Sequence, residues 1–250
     1  MKYIDLNADL GEGCGDDLAI IPLLSSANIS CGAHAGSEAD ILKALQACKQ
    51  HLVCVGAHPS YPDRANFGRQ SMVMPAADLT TSLQQQLRYF QQLADDTGVV
   101  MAYVKPHGAL YNQAAVDSEL ASLLADVIKT HRADLAVLTL PGSALFHAAK
   151  ALDLPVYQEA FADRAYLATG QLVPRNQAGA VLGHQAALQQ SLRLVQTGSI
   201  YSVDQQEIRL DADSLCLHGD SPEALQLASD LSSALQLAGI RIQSFIREFR

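Results

Sequence analysis

No stretch of this 250-residue chain approaches the ~20 uninterrupted apolar residues that a membrane-spanning helix requires. The opening MKYIDLNADLGEG carries acids where a secretory signal would carry an apolar segment, so a soluble, cytoplasmic protein is expected. Positive charge is scarce: 17 Lys and Arg against 26 Asp and Glu leave a formal net charge of −9. That balance argues against nucleic acid and anionic membrane surfaces, which need clustered cations. The five cysteines are irregularly spaced and form no CxxC pair, which excludes a disulfide framework or a zinc ribbon. Cys48 and Cys54 read as small core residues, Cys14 and Cys31 as free thiols in loops. Linker-like runs of proline, serine or charge are also missing, and one compact domain over 1–250 follows.

Several catalytic motifs are absent too. There is no GxxxxGK[ST], no lysine follows a glycine, and no GxGxxG lies between a strand and a helix. Any ATP consumed would therefore be bound by another chain or at an unfamiliar site. Without a GxSxG elbow, Ser143 in LPGS reads as a helix cap rather than a nucleophile. Without HxH or HExxH, a zinc or manganese site rests on inferred proximity alone, and Asp9, His34 and His58 are the candidate ligands.

What is present is alternation of short apolar runs with helical patterns. Runs at 52–57, 99–104 and 135–140 have the character of strands buried on both faces of a parallel sheet, and shorter or mixed runs at 3–6, 27–31, 156–161 and 214–217 complete a set of seven strands. Between them, Ser37 with Asp40 forms a capping pair ahead of an apolar face at Ile41, Leu42, Leu45 and Cys48. Residues 78–95 and a set at Leu120, Leu123, Leu124, Val127 and Ile128 repeat the helical spacing, and Ser221, Pro222 and Glu223 make a helix start. Segments 200–203 and 207–210 read as a hairpin excursion, and 240–249 as a closing or edge strand. The pattern predicts an α/β fold, a (β/α) barrel of seven or eight mainly parallel strands, with a doubly wound open sheet as the competing architecture.

Four of the eight histidines occupy one position of the repeated unit. His34, His58, His107 and His218 each follow a strand-like run and precede a turn and a helix, which would bring them to the carboxyl ends of the strands. His51, His131, His147 and His184 fall elsewhere and serve as an internal control. The same exits carry the other candidates. DLNADLGEG supplies Asp5, Asn7, Asp9 and Glu12, with Asp5, Asn7 and Asp9 on one face of a strand; a capped turn at Asp16 is the plainer reading. ANISCGAHAG supplies Asn28 and His34, and GAHPSYPDRANFGR supplies His58, Tyr61, Asp63, Arg64 and Arg69. VKPHGALYN supplies Lys105, His107, Tyr111 and Asn112; EAFADRAY and LVPR supply Glu159, Asp163, Arg164 and Arg175; CLHGD supplies His218 and Asp220. Five cations concentrated in these loops of an acidic chain suit a carboxylate or phosphate ligand, although Arg64 with Asp63, or Arg164 with Asp163, would equally make simple ion pairs.

Taken in order, these motifs resemble the LamB/YcsF family, whose members serve as the A component of bacterial ATP-dependent 5-oxoprolinase. The chain differs from the family's usual pattern at Ala33, where phenylalanine is common, and at Ala8, where many members have cysteine, which argues against a required thiol there. The resemblance implies a distorted (β/α) barrel similar to that of glycoside hydrolases and carbohydrate deacetylases. It further implies cleavage of 5-oxo-L-proline to L-glutamate with ATP as co-substrate, together with partner subunits B and C. On that footing Asp9, His58, Lys105, His107 and His218 are the expected catalytic groups: a base at Asp9 or a loop histidine, Lys105 and an arginine on the developing anion, and His107 or His218 as acid. Asn7, Glu12, Asn28, His34, Tyr61, Arg64, Arg69, Tyr111, Asn112, Arg164, Arg175 and Asp220 are the expected substrate contacts. A metal-dependent deacetylase or amidohydrolase and a non-catalytic ligand-binding regulatory module remain the rival readings, and homo-oligomerisation stays open.

Overall fold

Alternation along the first strand decides the architecture. In β1 (Tyr3–Leu10), Ile4, Leu6, Ala8 and Leu10 join the apolar core, while Asp5, Asn7 and Asp9 take the opposite face. A strand with one apolar and one polar buried face belongs in a closed barrel, with helices outside and a polar lumen within. The computed structural model, which describes residues 2–218 and 223–246 and gives His218 by its backbone alone, has that form.

β1 is followed by β2 (Ser26–Ser30), β3 (Cys54–His58), β4 (Met101–Val104), β5 (Ala136–Thr139) and β6 (Val156–Phe161), each hydrogen-bonded in parallel to the one before. An antiparallel hairpin of β7 (Ser199–Tyr201) and β8 (Glu207–Arg209) then leaves the barrel, at the expected segments 200–203 and 207–210 on either side of a polar turn. The chain returns in β9 (Ser214–His218), which pairs with β6 on one side and β1 on the other. That double pairing closes seven parallel strands and excludes the open sheet. Of the expected closing segment 240–249, the described residues hold β10 (Arg241–Ile242), a two-residue parallel edge on the start of β1, and 247–249 lie outside the described residues.

The helices are α1 (Asp17–Ile20), α2 (Glu38–His51), α3 (Ala76–Thr97), α4 (Gly108–Ala114), α5 (Ser118–His131), α6 (Ala144–Ala151), α7 (His184–Thr197) and α8 (Ala224–Leu237). Their starts obey local chemistry: Asp16 caps α1, Ser37 and Asp40 form a capping box on α2, and Ser143 caps α6 by accepting from the Phe146 amide. The expected start at Ser221 and Pro222 lies outside the described residues. Strand boundaries are where the apolar runs mislead. Leu52 is the left-handed C-cap of α2 and largely exposed, so the third strand begins only at Cys54. Conversely β1 runs four residues past the end of its apolar run at Leu6, and Asp5, Asn7 and Asp9 share one of its faces, as their alternation implies.

The lumen is layered. At the amino-terminal end Cys54, Tyr103, Ala136, Leu138 and Phe245 form a small apolar plug, with the Phe245 ring against Tyr103 and Tyr157. Gly56 is required there, because a Cβ at that position would come within 2.3 Å of the Tyr103 ring. Above the plug, Asp5 accepts from the hydroxyls of Ser25 and Ser26, each at 2.6 Å, and from Ser214. Higher still, Asn7 donates to Glu159 and Ser214, and Asn28 donates to Asn7 and Asp9 while accepting from the Tyr103 hydroxyl. Among the described residues, no helix is long and apolar enough to cross a membrane.

Candidate active site

The carboxyl ends of the strands open into a cavity of about 680 Å³. Its floor is Asp9, Glu12, His58, Lys105 and His107; Arg69, Tyr111, Asn112, Arg164 and Arg175 stand on its walls. Each floor residue is delivered by the same device, a strand ending or a turn just past it. Asp9 is the last inward position of β1, His58 ends β3, and Lys105 follows β4. His107 is the N-cap of α4, and the next residue must be Gly108, whose φ is +55° and where a Cβ would come within 2.5 Å of the Gly68 carbonyl oxygen.

Lys105 is the electrostatic centre of this floor. Its ammonium lies 2.9 Å from Asp9 Oδ1, 3.1 Å from Glu159 Oε2, 3.1 Å from Cys216 Sγ and 3.5 Å from Asn7 Oδ1, almost wholly buried. Burial acts to neutralise it, yet the surrounding groups win and hold its pKa well above the usual lysine value. Burial keeps Cys216 a thiol, with its pKa pushed well up despite Lys105, so the carboxylates of Asp9 and Glu159 are what keep the lysine charged.

The histidines form a second, contiguous group. His58 Nδ1 donates to the Lys105 carbonyl at 2.7 Å, and His107 Nε2 donates to the Phe67 carbonyl at 2.9 Å. The remaining nitrogens, His58 Nε2 and His107 Nδ1, face each other at 2.9 Å, with Asp9 Oδ2 3.3 Å from the first and Glu12 Oε1 3.5 Å from the second. The His34 ring stacks on His107 with centroids 3.8 Å apart, its Nε2 2.9 Å from Glu12 and its Nδ1 3.0 Å from the Ser60 hydroxyl. Burial, reinforced by neighbouring histidine, pushes His34 down to about 3 and His107 well below the ordinary imidazole range. His34 is therefore a neutral ring wedged behind His107, and it orients Glu12.

The expected residues sort into three groups. Asp9, Glu12, His34, His58, Lys105, His107 and Tyr111 converge on one place, with Arg69, Asn112 and Arg175 at its rim. Asn7 and Asn28 lie beneath it as lumen residues, fully buried and hydrogen-bonded to Asp9, Lys105 or Glu159. Tyr61 and Arg64 are not brought to the cavity. Tyr61 packs in the core outside the barrel, and the Arg64 guanidinium is committed to the carbonyls of Gly32 and Gly36, not to Asp63. Arg164 reaches the wall, but its Nη2 and Nε are spent on the carbonyls of Val173 and Ala180, pinning the loop that carries Arg175. The expected metal trio is also redistributed: the ligand atoms that converge are those of Asp9, His58 and His107, while His34 groups with Glu12 and His107. Ala33 lines a separate shallow depression, and Ala8 faces the outer core. Asp220 and the side chain of His218 lie outside the described residues.

Three further contributors join the site. Glu159 is visible in the sequence as a sixth-strand acid, but alternation alone does not reveal that it faces Lys105. Cys216 enters because Lys105 crosses the lumen to it, and Phe67, left-handed at φ +57°, offers its carbonyl to His107.

The model of the LamB/YcsF family matches residues 4–249. The chain belongs to the LamB/YcsF family. One relative in it, the 5-oxoprolinase A component of Neisseria meningitidis serogroup A, is 47% identical over 98% of this chain and 100% of its own. The lactam utilization protein of Thermus thermophilus, a solved structure, is 38% identical and superposes with a TM-score of 0.91 over 98% of this LamB/YcsF chain and 100% of that one. A family 4 carbohydrate esterase from Streptomyces lividans, at 10% identity and a TM-score of 0.53 over 96% and 91% of the two chains, shares the barrel fold.

Proposed function

We propose that this LamB/YcsF protein acts in 5-oxoproline metabolism, as the lactam-opening A component of an ATP-dependent 5-oxoprolinase that also needs subunits B and C. The observation that carries the reading is the cavity floor, where two carboxylates, a buried ammonium and two facing imidazoles meet beneath an arginine-bearing rim. The names of the Neisseria and Thermus relatives supply the substrate class.

5-Oxo-L-proline is a small lactam with one carboxylate. Arg175 and Arg69 at the rim suit that carboxylate, since a guanidinium offers it a two-pronged fork. The Tyr111 hydroxyl is buried on the cavity wall beside Glu159, and burial first, then that acid, raise its pKa well above the ordinary phenol value. An unstrained lactam resists water, so ATP phosphorylates its oxygen, making the ring carbon electrophilic. Water, deprotonated at the Asp9–His58–His107 centre, adds to that carbon; the ring C–N bond breaks as its nitrogen takes a proton, and a second water releases phosphate. Lys105 acts differently from a free oxyanion donor. Its three N–H bonds already face Asp9, Glu159 and the Asn7 and Cys216 side chains, so it holds two carboxylates in place.

Glutamate and ADP formation from 5-oxoproline and ATP, measured for the purified chain with and without B and C, tests this. Turnover only with all three chains is expected, and no glutamate from the complete set would overturn it. The rival hydrolase with a resident divalent ion is favoured by one observation, the convergence of ligand atoms from Asp9, His58 and His107.

A further inference from the structure

We infer that the wall of the cavity formed by the loop from Arg164 to Val181 is a phosphoryl-binding subsite, anchored by Nη1 of the Arg164 guanidinium. Arg164 lines the cavity and is 5% exposed. Its Nε donates to the Ala180 carbonyl at 3.2 Å and its Nη2 to the Val173 carbonyl at 2.6 Å, which leaves the two N–H bonds of Nη1 without an acceptor among the described residues. Nη1 is not sealed inside the protein, and the space that the side chain lines is the cavity. No carboxylate among the described residues forms an ion pair with this guanidinium, although Asp163 precedes it in the chain and acts on it from a greater distance. A buried cation held only by carbonyl dipoles is costly to keep. Here it is kept facing open space, where an anion from the ligand completes its coordination.

Charge and rigidity point to a phosphoryl group rather than a second carboxylate. Burial first, and then the neighbouring Arg175, hold the Arg164 pKa below the usual arginine value, and Arg69 acts in the same direction. Guanidinium groups close enough to repel one another favour a dianion, which all of them stabilise at once. The anchor is also fixed in advance. The Gln190 amide donates to the Arg164 carbonyl at 2.9 Å, and Arg164 pairs with Val181 in an antiparallel bridge, so little freedom is left to lose on binding. Arg64 shows the contrast, because its Nη1 and Nη2 both go to carbonyls, of Gly32 and Gly36, and it does not line the cavity. At about 680 Å³ the cavity is several times larger than a five-membered lactam needs, so a lactam over the floor leaves room for a phosphoryl group on its oxygen to meet the wall. The identity of that group rests on the oxoprolinase reading; the anion site itself rests on the Arg164 geometry.

Inorganic phosphate is the probe, titrated calorimetrically into the purified full-length chain, with acetate as the monocarboxylate control. One phosphate per chain, bound at least about 10-fold more tightly than acetate, is expected. Arg164→Gln should weaken phosphate binding by about 10- to 100-fold, as for lost hydrogen bonds to a charged group. Arg175→Gln removes only a neighbouring charge and should weaken it by about threefold. Should Arg164→Gln fail to fold, a crystal of the wild type grown with phosphate decides, because the ion must lie within a hydrogen bond of Nη1. No uptake at tens of millimolar phosphate, acetate bound as tightly, undiminished uptake by folded Arg164→Gln, or an ion seated away from Nη1 overturns the subsite. Failure here is distinct from failure of the lactam reading, since phosphate binding needs neither 5-oxoproline nor the other two chains, and glutamate formation is measured without added phosphate.

Discussion

Asp5 and Asp9 leave the same face of β1 and enter the same lumen, yet they have opposite surroundings. Asp5 is fully buried and meets three serine hydroxyls but no cation; burial dominates and raises its pKa to about 6. Asp9, two inward positions nearer the mouth, has the Lys105 ammonium at 2.9 Å and His58 Nε2 at 3.3 Å. Asp5 is sealed from solvent, and Asp9 keeps only 11% of its side chain exposed. What separates a structural carboxyl from a chemically usable one is whether an opposite charge is delivered with it, and here the charge comes from a residue ninety-six positions away in sequence.

That contrast can be broken most severely by Lys105→Met. Removing the cation leaves Asp9 and Glu159 uncompensated in the lumen, and a loss of about 3–5 kcal/mol in urea unfolding is expected, together with loss of turnover. Next, Asp9→Asn and His58→Asn should each lower turnover of the reconstituted three-chain system by about 10²- to 10⁴-fold with circular dichroism unchanged; near-normal rates would remove these residues from the chemistry.

Asp5 offers the complementary experiment. Its folded pKa of about 6 exceeds the unfolded 3.8, so the folded state binds the proton more tightly. The stabilisation is therefore complete below about pH 4 and is lost as pH rises to about 6, by about 3 kcal/mol at 1.36 kcal/mol per unit. Urea midpoints across that range should fall for the wild type and flatten in Asp5→Asn. A slope that survives in Asp5→Asn would show that other groups set this pH dependence, and a wild-type midpoint that rises with pH would show that the serine hydroxyls outweigh burial.

Smaller effects mark the boundary between lumen and scaffold. Gly56→Ala should cost about 1–3 kcal/mol, because the added methyl must displace the Tyr103 ring that supports Asn28. Among the arginines, Arg175→Ala should raise KM for 5-oxoproline by about 10- to 100-fold, as expected for a lost charged hydrogen bond. Arg64→Ala should cost about 1 kcal/mol of stability and leave KM alone, since its bonds go to Gly32 and Gly36. Equal KM changes in both variants would erase that distinction.

Much of the barrel was legible in the chain because strand and helix periods differ. Continuous apolar runs such as 135–140 fall close to β5, and the capping chemistry at Ser37 and Ser143 marks helix starts to the residue. Boundaries were less legible where an apolar residue serves another purpose. Leu52 looks like a strand residue and is a helix cap; the apolar run of β1 stops at Leu6, yet the strand continues to Leu10 because Asn7 and Asp9 line the lumen. At the site, the common position of His34, His58 and His107 in successive units foretold their meeting. Which nitrogen faces which partner was not foretold, since that depends on backbone carbonyls from Lys105 and Phe67.

By itself the sequence determined the repeating unit, the family and the set of ionisable groups carried at the strand ends, because these depend on local spacing and composition. Tertiary structure alone decided that Lys105 is shared by Asp9 and Glu159, that Arg64 and Arg164 are held by carbonyls, and that His107 rather than His34 faces His58. The reason is closure: pairing β9 with β1 turns separate strand faces into one lumen, and only there do charges remote in sequence fall within a hydrogen bond of each other.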